Sequence, residues 1–328
     1  MGMDKTSRKS FIIKNTASFM ATIMAFSFLA YSGKGENIFN SINNTDIINA
    51  PMGDGGVVGI DDITFQEDNI APVPNVDYGD FQSIKSAFYT IDKRTDLLPS
   101  DIDAEKFMTM DLSIDNSMEG PKILIFHTHS NEMYADSNGN VEDGIWGVGE
   151  VLKEYLEKTM GVEVMHDTGR YDIVNGKGQV LGAYERMEPS IQKILDENPS
   201  IQMVIDLHRD GVPENVHLVT EIDGKKCAKI MFFNGMCRLY ENGSLNNISY
   251  LPNPYIEQNL ALSFRLQSLS QQYSDFTRKI YVNAYRYSLH MKPLSMLVEV
   301  GAQTNTKEEA KNSMYYLAKL ISEAVNVN

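Results

Sequence analysis

Apolar positions along the chain change character near Pro121. Before it they are scattered among Asn, Asp, Gly, Ser and Pro, with turn chemistry at Gly53-Asp-Gly-Gly56 and Ala71-Pro-Val-Pro74. After it, short apolar runs alternate with longer stretches of helical periodicity. The runs at 122–126, 162–165, 201–207, 216–220, 228–233 and 295–300 predict strands; the periodic segments 144–158, 181–197, 254–272 and 307–326 predict helices. The first of these helices puts Val148, Val151, Leu152 and Tyr155 on one face. The last begins at Thr306, a sound N-cap, with Glu308 and Glu309 in its first turn. Strands alternating with helices define an α/β class, a mixed and largely parallel sheet flanked by helices. Asp223-Gly224, between two of the strands, predicts a hairpin and hence an antiparallel element.

A separate apolar stretch, from about Thr16 to Tyr31, follows Lys5, Arg8, Lys9 and Lys14. A positive flank before an apolar segment marks a signal sequence or an uncleaved anchor. Ala30 and Ser32 are spaced for cleavage, and an uncleaved anchor is the preferred reading. The expected organisation is therefore 1–32 as N-terminal membrane anchor or signal sequence and 33–117 as an acidic flexible tether. Within the tether, 80–115 holds enough apolar residues for a short helical lead-in. Residues 118–328 form one catalytic domain, carried outside the cytoplasm. With 42% hydrophobic residues the 328-residue chain can bury a substantial core. A formal charge of −15 excludes a nucleic-acid partner, because no basic stripe exists to neutralise phosphates. Cys227 and Cys237 either pair across the hairpin or stay as buried thiols, and two cysteines are too few for a disulfide scaffold.

The chemistry is concentrated where apolar runs end. Ile123-Leu-Ile-Phe126 gives way to His127-Thr-His129 and then Glu132; Met203-Val-Ile-Asp-Leu-His208 follows the same plan; Leu297, Val298 and Val300 flank Glu299. Open α/β sheets place their sites at the C-terminal ends of strands. His129, Glu132 and His208 make a His2Glu set of the kind catalytic zinc uses, with a fourth position left for water. If the first strand runs on to His129, His127 shares its face and both imidazoles line one cavity. Asp206 shares a strand face with His208 and can orient its imidazole. Arg209 is read either as half of a surface pair with Asp210 or as a grip on a substrate carboxylate or carbonyl. Glu299 in an apolar strand is costly to bury without a function, and a carboxylate beside a metal can move the proton of its water. His290 is either an oxyanion stabiliser or a packed loop residue, and His166 and His217 read as structural. No phosphate loop with its lysine and no Gly-x-Ser-x-Gly elbow is present.

Four ordered motifs, His127-Thr-His-Ser-Asn-Glu-Met-Tyr134, Asp206-Leu-His-Arg-Asp210, Tyr287-Ser-Leu-His290 and Leu297-Val-Glu-Val-Gly301, resemble the stage II sporulation protein P family of cell-wall hydrolases. Asn253-Pro-Tyr-Ile-Glu-Gln-Asn-Leu-Ala-Leu262 and Val298-Glu-Val-Gly-Ala-Gln-Thr-Asn-Thr306 extend the resemblance, which runs from about Gly120 to the C-terminus. It implies a zinc-dependent N-acetylmuramoyl-L-alanine amidase fold, with endopeptidase action on peptide cross-links in addition. It also implies work on septal peptidoglycan during engulfment, from the mother-cell membrane, with the stage II sporulation proteins D and M. Carried over residue by residue, the resemblance makes His129 and His208 zinc ligands, with His127 in reserve, and Glu299 the catalytic glutamate. The wider amidase family takes its glutamate ligand further along, so Glu142 and Glu150 stand behind Glu132. Two other readings fit the same residues, a wall-binding scaffold with a silent metal site and a zinc peptidase acting on free peptides.

Overall fold

A computed structural model describes residues 76–328. In chain order these form α1 (Phe81–Phe88), β1 (Tyr89–Ile91), α2 (Ala104–Thr109), β2 (Ile123–Phe126), α3 (Ile145–Met160) and β3 (Val164–His166). A two-stranded hairpin, β4 (Ile173–Val174) and β5 (Lys177–Gly178), leads into α4 (Ala183–Glu197) and β6 (Met203–Asp210). Hairpin β7 (Val219–Ile222) and β8 (Lys225–Ala228) precedes β9 (Ile230–Gly235), and hairpin β10 (Arg238–Glu241) and β11 (Ser244–Asn247) follows it. The chain ends with α5 (Ile256–Leu269), β12 (Ile280–Asn283), β13 (Leu294–Ala302) and α6 (Lys307–Ala324).

Seven strands make the central sheet, in the order β1-β12-β9-β13-β6-β2-β3. Every neighbouring pair is parallel except β9–β13, so two parallel blocks meet at one antiparallel seam. The continuous apolar runs follow from this topology, because strands covered on both faces have no solvent side to alternate with. Ile123, Ile125, Met203, Ile205 and Leu207 point into a core with Val148, Leu152 and Leu156 of α3 and Leu317 and Ile321 of α6. The alternate residues Leu124, Phe126 and Val204 meet Met187, Ile191 and Leu195 of α4 on the other face. Beyond α4 that second face is covered by the segment after β12, where Leu289 and Tyr287 pack on Phe233 and Leu297.

The expected mixed, largely parallel sheet is present, but the tether boundary at 117 needs correction. Residues from Val76 onward belong to the folded unit: β1 is the edge strand beside β12, and Ile114 bridges to Val327. Phe88 and Phe107 stand edge-on to Phe264 of α5, with ring centroids 5.5 and 5.7 Å apart. Two aromatic anchors on one ring thus fix the lead-in, too widely spaced for periodicity to reveal. The 1–32 anchor and the 33–75 part of the tether lie outside the described residues. Among the described residues no helix is long and apolar enough to cross a membrane.

The hairpin turn falls at Asp223-Gly224, with φ of 51° and 74°, the pair of positive values a tight two-residue connection needs. Its arms are shorter than expected, and Ile230–Gly235 belongs to the central sheet instead. Cys227 and Cys237 are both free and buried, and burial pushes each thiol up to about 12.

Candidate functional site

Strands β2, β6 and β13 run parallel and deliver their C-terminal ends to one edge. β2 stops at Phe126, because the Asp206 carboxylate captures the next segment: it accepts the Thr128 backbone N–H at 2.9 Å and the Thr128 hydroxyl at 2.8 Å. That turn separates the two histidines the strand pattern had put on one face. His127 goes to the α3 side of the sheet. There its Nδ1 lies 2.8 Å from the Leu207 carbonyl and its Nε2 lies 2.8 Å from His166 Nε2. Gly149 of α3 makes room for it, since a Cβ there would lie 2.7 Å from that Nε2. Burial and the facing His166 push His127 down to about 3. Glu150, one of the fallback ligands, pairs with His166 Nδ1 at 2.7 Å on this same side. Glu142 lies in the turn Val141–Asp143 that opens α3.

His129 emerges on the α4 side, its ring 5.3 Å from His208 and 5.7 Å from Tyr184. Its Nδ1 is buried without a hydrogen-bond partner. His208 sits between two carboxylates, with Nε2 2.7 Å from Asp206 and Nδ1 3.5 Å from Glu132. Although burial opposes its charge, these two carboxylates raise its pKa well above the usual range. His129 is shifted the other way, by burial and by the charge on His208.

Glu132 is fixed from behind. It accepts the Arg209 backbone N–H at 2.8 Å, while the Arg209 guanidinium donates to the carbonyls of Met133 at 2.9 Å and Asp210 at 3.1 Å. Arg209 therefore braces the loop that carries Glu132. Asp210 pairs with Arg278 at 2.6 Å, and not with Arg209. Buried Asp172 holds the other end of the loop, accepting the Ser130 hydroxyl at 2.7 Å and the Asn131 N–H at 2.9 Å.

Glu299 is the register partner of His208 on the adjacent parallel strand, so the two side chains rise from the same face. Its Oε2 is buried with no partner. Burial, reinforced by the charges of Asp210 and Glu132 and opposed by His208 and Arg278, pushes the carboxyl up to about 8. His290 is held by the Tyr287 carbonyl at 3.1 Å and by Glu188 of α4 at 3.2 Å. Glu188 also takes Arg286 in a two-pronged pair at 2.8 Å, and its carboxyl is held down at about 2, first by the His290 hydrogen bond.

His129, Glu132, His208 and Glu299 thus come together at one strand edge, Arg209 supports them, and His127 and Glu150 lie on the opposite face. Tyr184, Asp172 and Arg278 belong to this neighbourhood but carry no sequence signal: each acts across a long separation in the chain, and none sits in a motif. Tyr134 closes the His127–Tyr134 motif, but its contact with Val300, 166 positions away, carries no sequence signal. The donor set fits zinc in its chemistry: a neutral imidazole with an orphaned Nδ1, a carboxylate, and a second imidazole whose Nε2 is tied to Asp206. His208 Nδ1 faces Glu132, a position in which a cation or a proton must sit. Among the described residues no three His, Cys, Asp or Glu side chains are grouped closely enough to hold an ion as they stand, so the match lies in donor type and not in a closed cage.

Fold and site together define a mixed α/β protein with a histidine–carboxylate centre at the C-terminal edge of its sheet. Residues 76–322 match the Stage II sporulation protein P family, and the chain belongs to that family. It is 22% identical over 217 residues to the Stage II sporulation protein P of Bacillus subtilis (strain 168), an alignment covering 61% of this chain and 50% of that protein. The chain thus spans about half the length of the curated relative it matches. Among solved structures it is similar to the catalytic domain of CwlV, an N-acetylmuramoyl-L-alanine amidase from Bacillus (Paenibacillus) polymyxa var. colistinus. That likeness has a TM-score of 0.34 and 12% identity, and covers 62% of this chain and 95% of that one.

Proposed function

We propose that this chain is a zinc-dependent peptidoglycan hydrolase. It cuts the amide between N-acetylmuramic acid and the stem peptide, and peptide cross-links in addition. The observation that carries the reading is the partnerless, buried Oε2 of Glu299 beside His208. A carboxyl with a buried, unpartnered oxygen, pushed up to about 8 inside an apolar strand, is costly, and proton transfer is the use that accounts for it.

His129, Glu132 and His208 would hold the zinc, which supplies a polarised carbonyl and a more acidic water when bound. Asp206 keeps the proton on His208 Nε2 and so directs the Nδ1 lone pair outward. Glu299 takes a proton from the attacking water as the carbon–oxygen bond forms. It returns that proton to the amide nitrogen as the carbon–nitrogen bond breaks. Arg209 keeps the Glu132 loop in place, and the His290–Glu188–Arg286 cluster fixes α4 against the segment before β13. Family membership supports a place in sporulation; septal peptidoglycan as substrate, the mother-cell membrane as location and the stage II sporulation proteins D and M as partners belong to the same proposal.

Purified peptidoglycan incubated with the protein is expected to release soluble peptide, to stop releasing it with a chelator, and to resume on zinc add-back. Release that is indifferent to chelator would remove zinc from the proposal.

A further inference from the structure

The segment after Glu299 does not run straight. Glu299 pairs with His208 and Ala302 with Asp210, three residues against two, so β13 carries a bulge at the site. Gly301 in the bulge has φ of 59°, and a Cβ there would lie 2.5 Å from Asn305 Oδ1. Asn305 is completely buried and every polar atom it has is used. Oδ1 accepts the Ala302 N–H at 2.9 Å, while Nδ2 donates to the Leu218 carbonyl at 3.0 Å and to Glu309 Oε2 at 2.9 Å. Its own N–H donates to the Ala302 carbonyl at 2.9 Å.

Its carbonyl reaches a different part of the chain, accepting the Ala135 N–H at 2.9 Å, three residues beyond Glu132. A second tie runs beside this one, from the Tyr134 hydroxyl to the Val300 carbonyl at 3.1 Å. The loop that carries Glu132 and the strand that carries Glu299 are therefore stapled together, and Asn305 is where the staple, the bulge and the β7–β8 hairpin meet.

We infer that Asn305 is a positioning residue for the proposed reaction: it fixes the bulge after Glu299 and, through its carbonyl, the Glu132 loop, so that the two carboxylates keep one separation. This rests on the proposed hydrolysis for its kinetic consequence, but the coupling itself is a property of the fold. A buried amide that satisfies five hydrogen bonds is ordinary in a core; one that ties both acidic residues of a candidate site to each other is placed for more than packing. Misplacement of a reacting group by about 1 Å can cost on the order of 100-fold in rate.

The test compares Asn305→Ala, and Asn305→Ser as the milder variant should the first not fold, with Ser313→Ala. Ser313 donates to the Ala228 carbonyl at 2.7 Å from within α6, so its loss weakens the same region without touching the site. On a soluble glycan–peptide fragment, the Asn305 variants should lose about 10–100-fold in kcat with KM little changed, whereas Ser313→Ala keeps kcat. Amide hydrogen exchange supplies the readout that needs no turnover. Ala135 should lose protection in the Asn305 variants although its partner is a backbone carbonyl that the substitution leaves in place. An Asn305 variant with wild-type kcat, or one that loses only what Ser313→Ala loses, overturns the inference. Should the wild-type protein cleave no wall fragment, the proposed function falls and exchange alone decides: retained protection at Ala135 overturns the coupling, and lost protection upholds it.

Discussion

Glu299 and Asp206 show how far single residues could be read in advance. A carboxylate inside Leu297-Val298-Glu299-Val300 is visible as an anomaly, and the alternation of Asp206 with His208 predicts the 2.7 Å contact the structure contains. His127 was not separable from His129, because the turn between them is made by a carboxylate 78 positions away, through the Thr128 bonds. Two outcomes follow for these side chains. Asp206→Asn removes the negative charge that orients His208, and zinc affinity measured by competition with a chelating dye should fall about 10–100-fold. Glu299 has a folded pKa raised to about 8 from an ordinary 4.5, so the folded metal-free protein holds that proton more tightly than the unfolded chain does. Stability from this group is full below pH 4.5, falls as pH rises toward 8, and is level above it. Metal-free Glu299→Gln should therefore melt higher than wild type at pH 9, by at least ~2 °C, and match it near pH 4. Equal melting at both pH values would mean that the carboxyl is not held in a protonated state by its surroundings.

The long, strongly patterned elements were legible: β2, β6 and β13 as apolar runs, α3 and α6 from periodicity, and the α6 start from Thr306, where Glu309 closes a capping box. What periodicity could not show was the lead-in. β1 is three residues long, and α1 and α2 are eight and six. Elements this short bury too little to announce themselves, and they are held by distant partners such as Phe264. The antiparallel seam at β9–β13 was equally hidden, since a strand buried on both faces reads the same in either direction. If the lead-in is part of the fold, Phe107→Ala should cost about 3–5 kcal/mol in urea unfolding, with one cooperative transition. A cost near zero would return residues 76–117 to the status of a tether.

Taken together, the molecule is a two-faced sheet that spends one face on stability and leaves the edge of the other for chemistry. α3, α5 and α6 bury one side in a single continuous core, while the second side carries α4 alone and a segment of loop. The site lies where that thinner cover meets the parallel strand ends. Family membership was legible because three of its four motifs are the same strand ends that build the site. The arrangement of partners around them was not, since it depends on contacts between segments far apart in the chain. The measurement closest to the central claim pairs zinc content with product analysis for wild type and Glu299→Gln on the same peptidoglycan. The variant should bind zinc as wild type does, yet release intact stem peptide about 100- to 10,000-fold more slowly by mass spectrometry. A Glu299→Gln protein that frees stem peptide at the wild-type rate would contradict it.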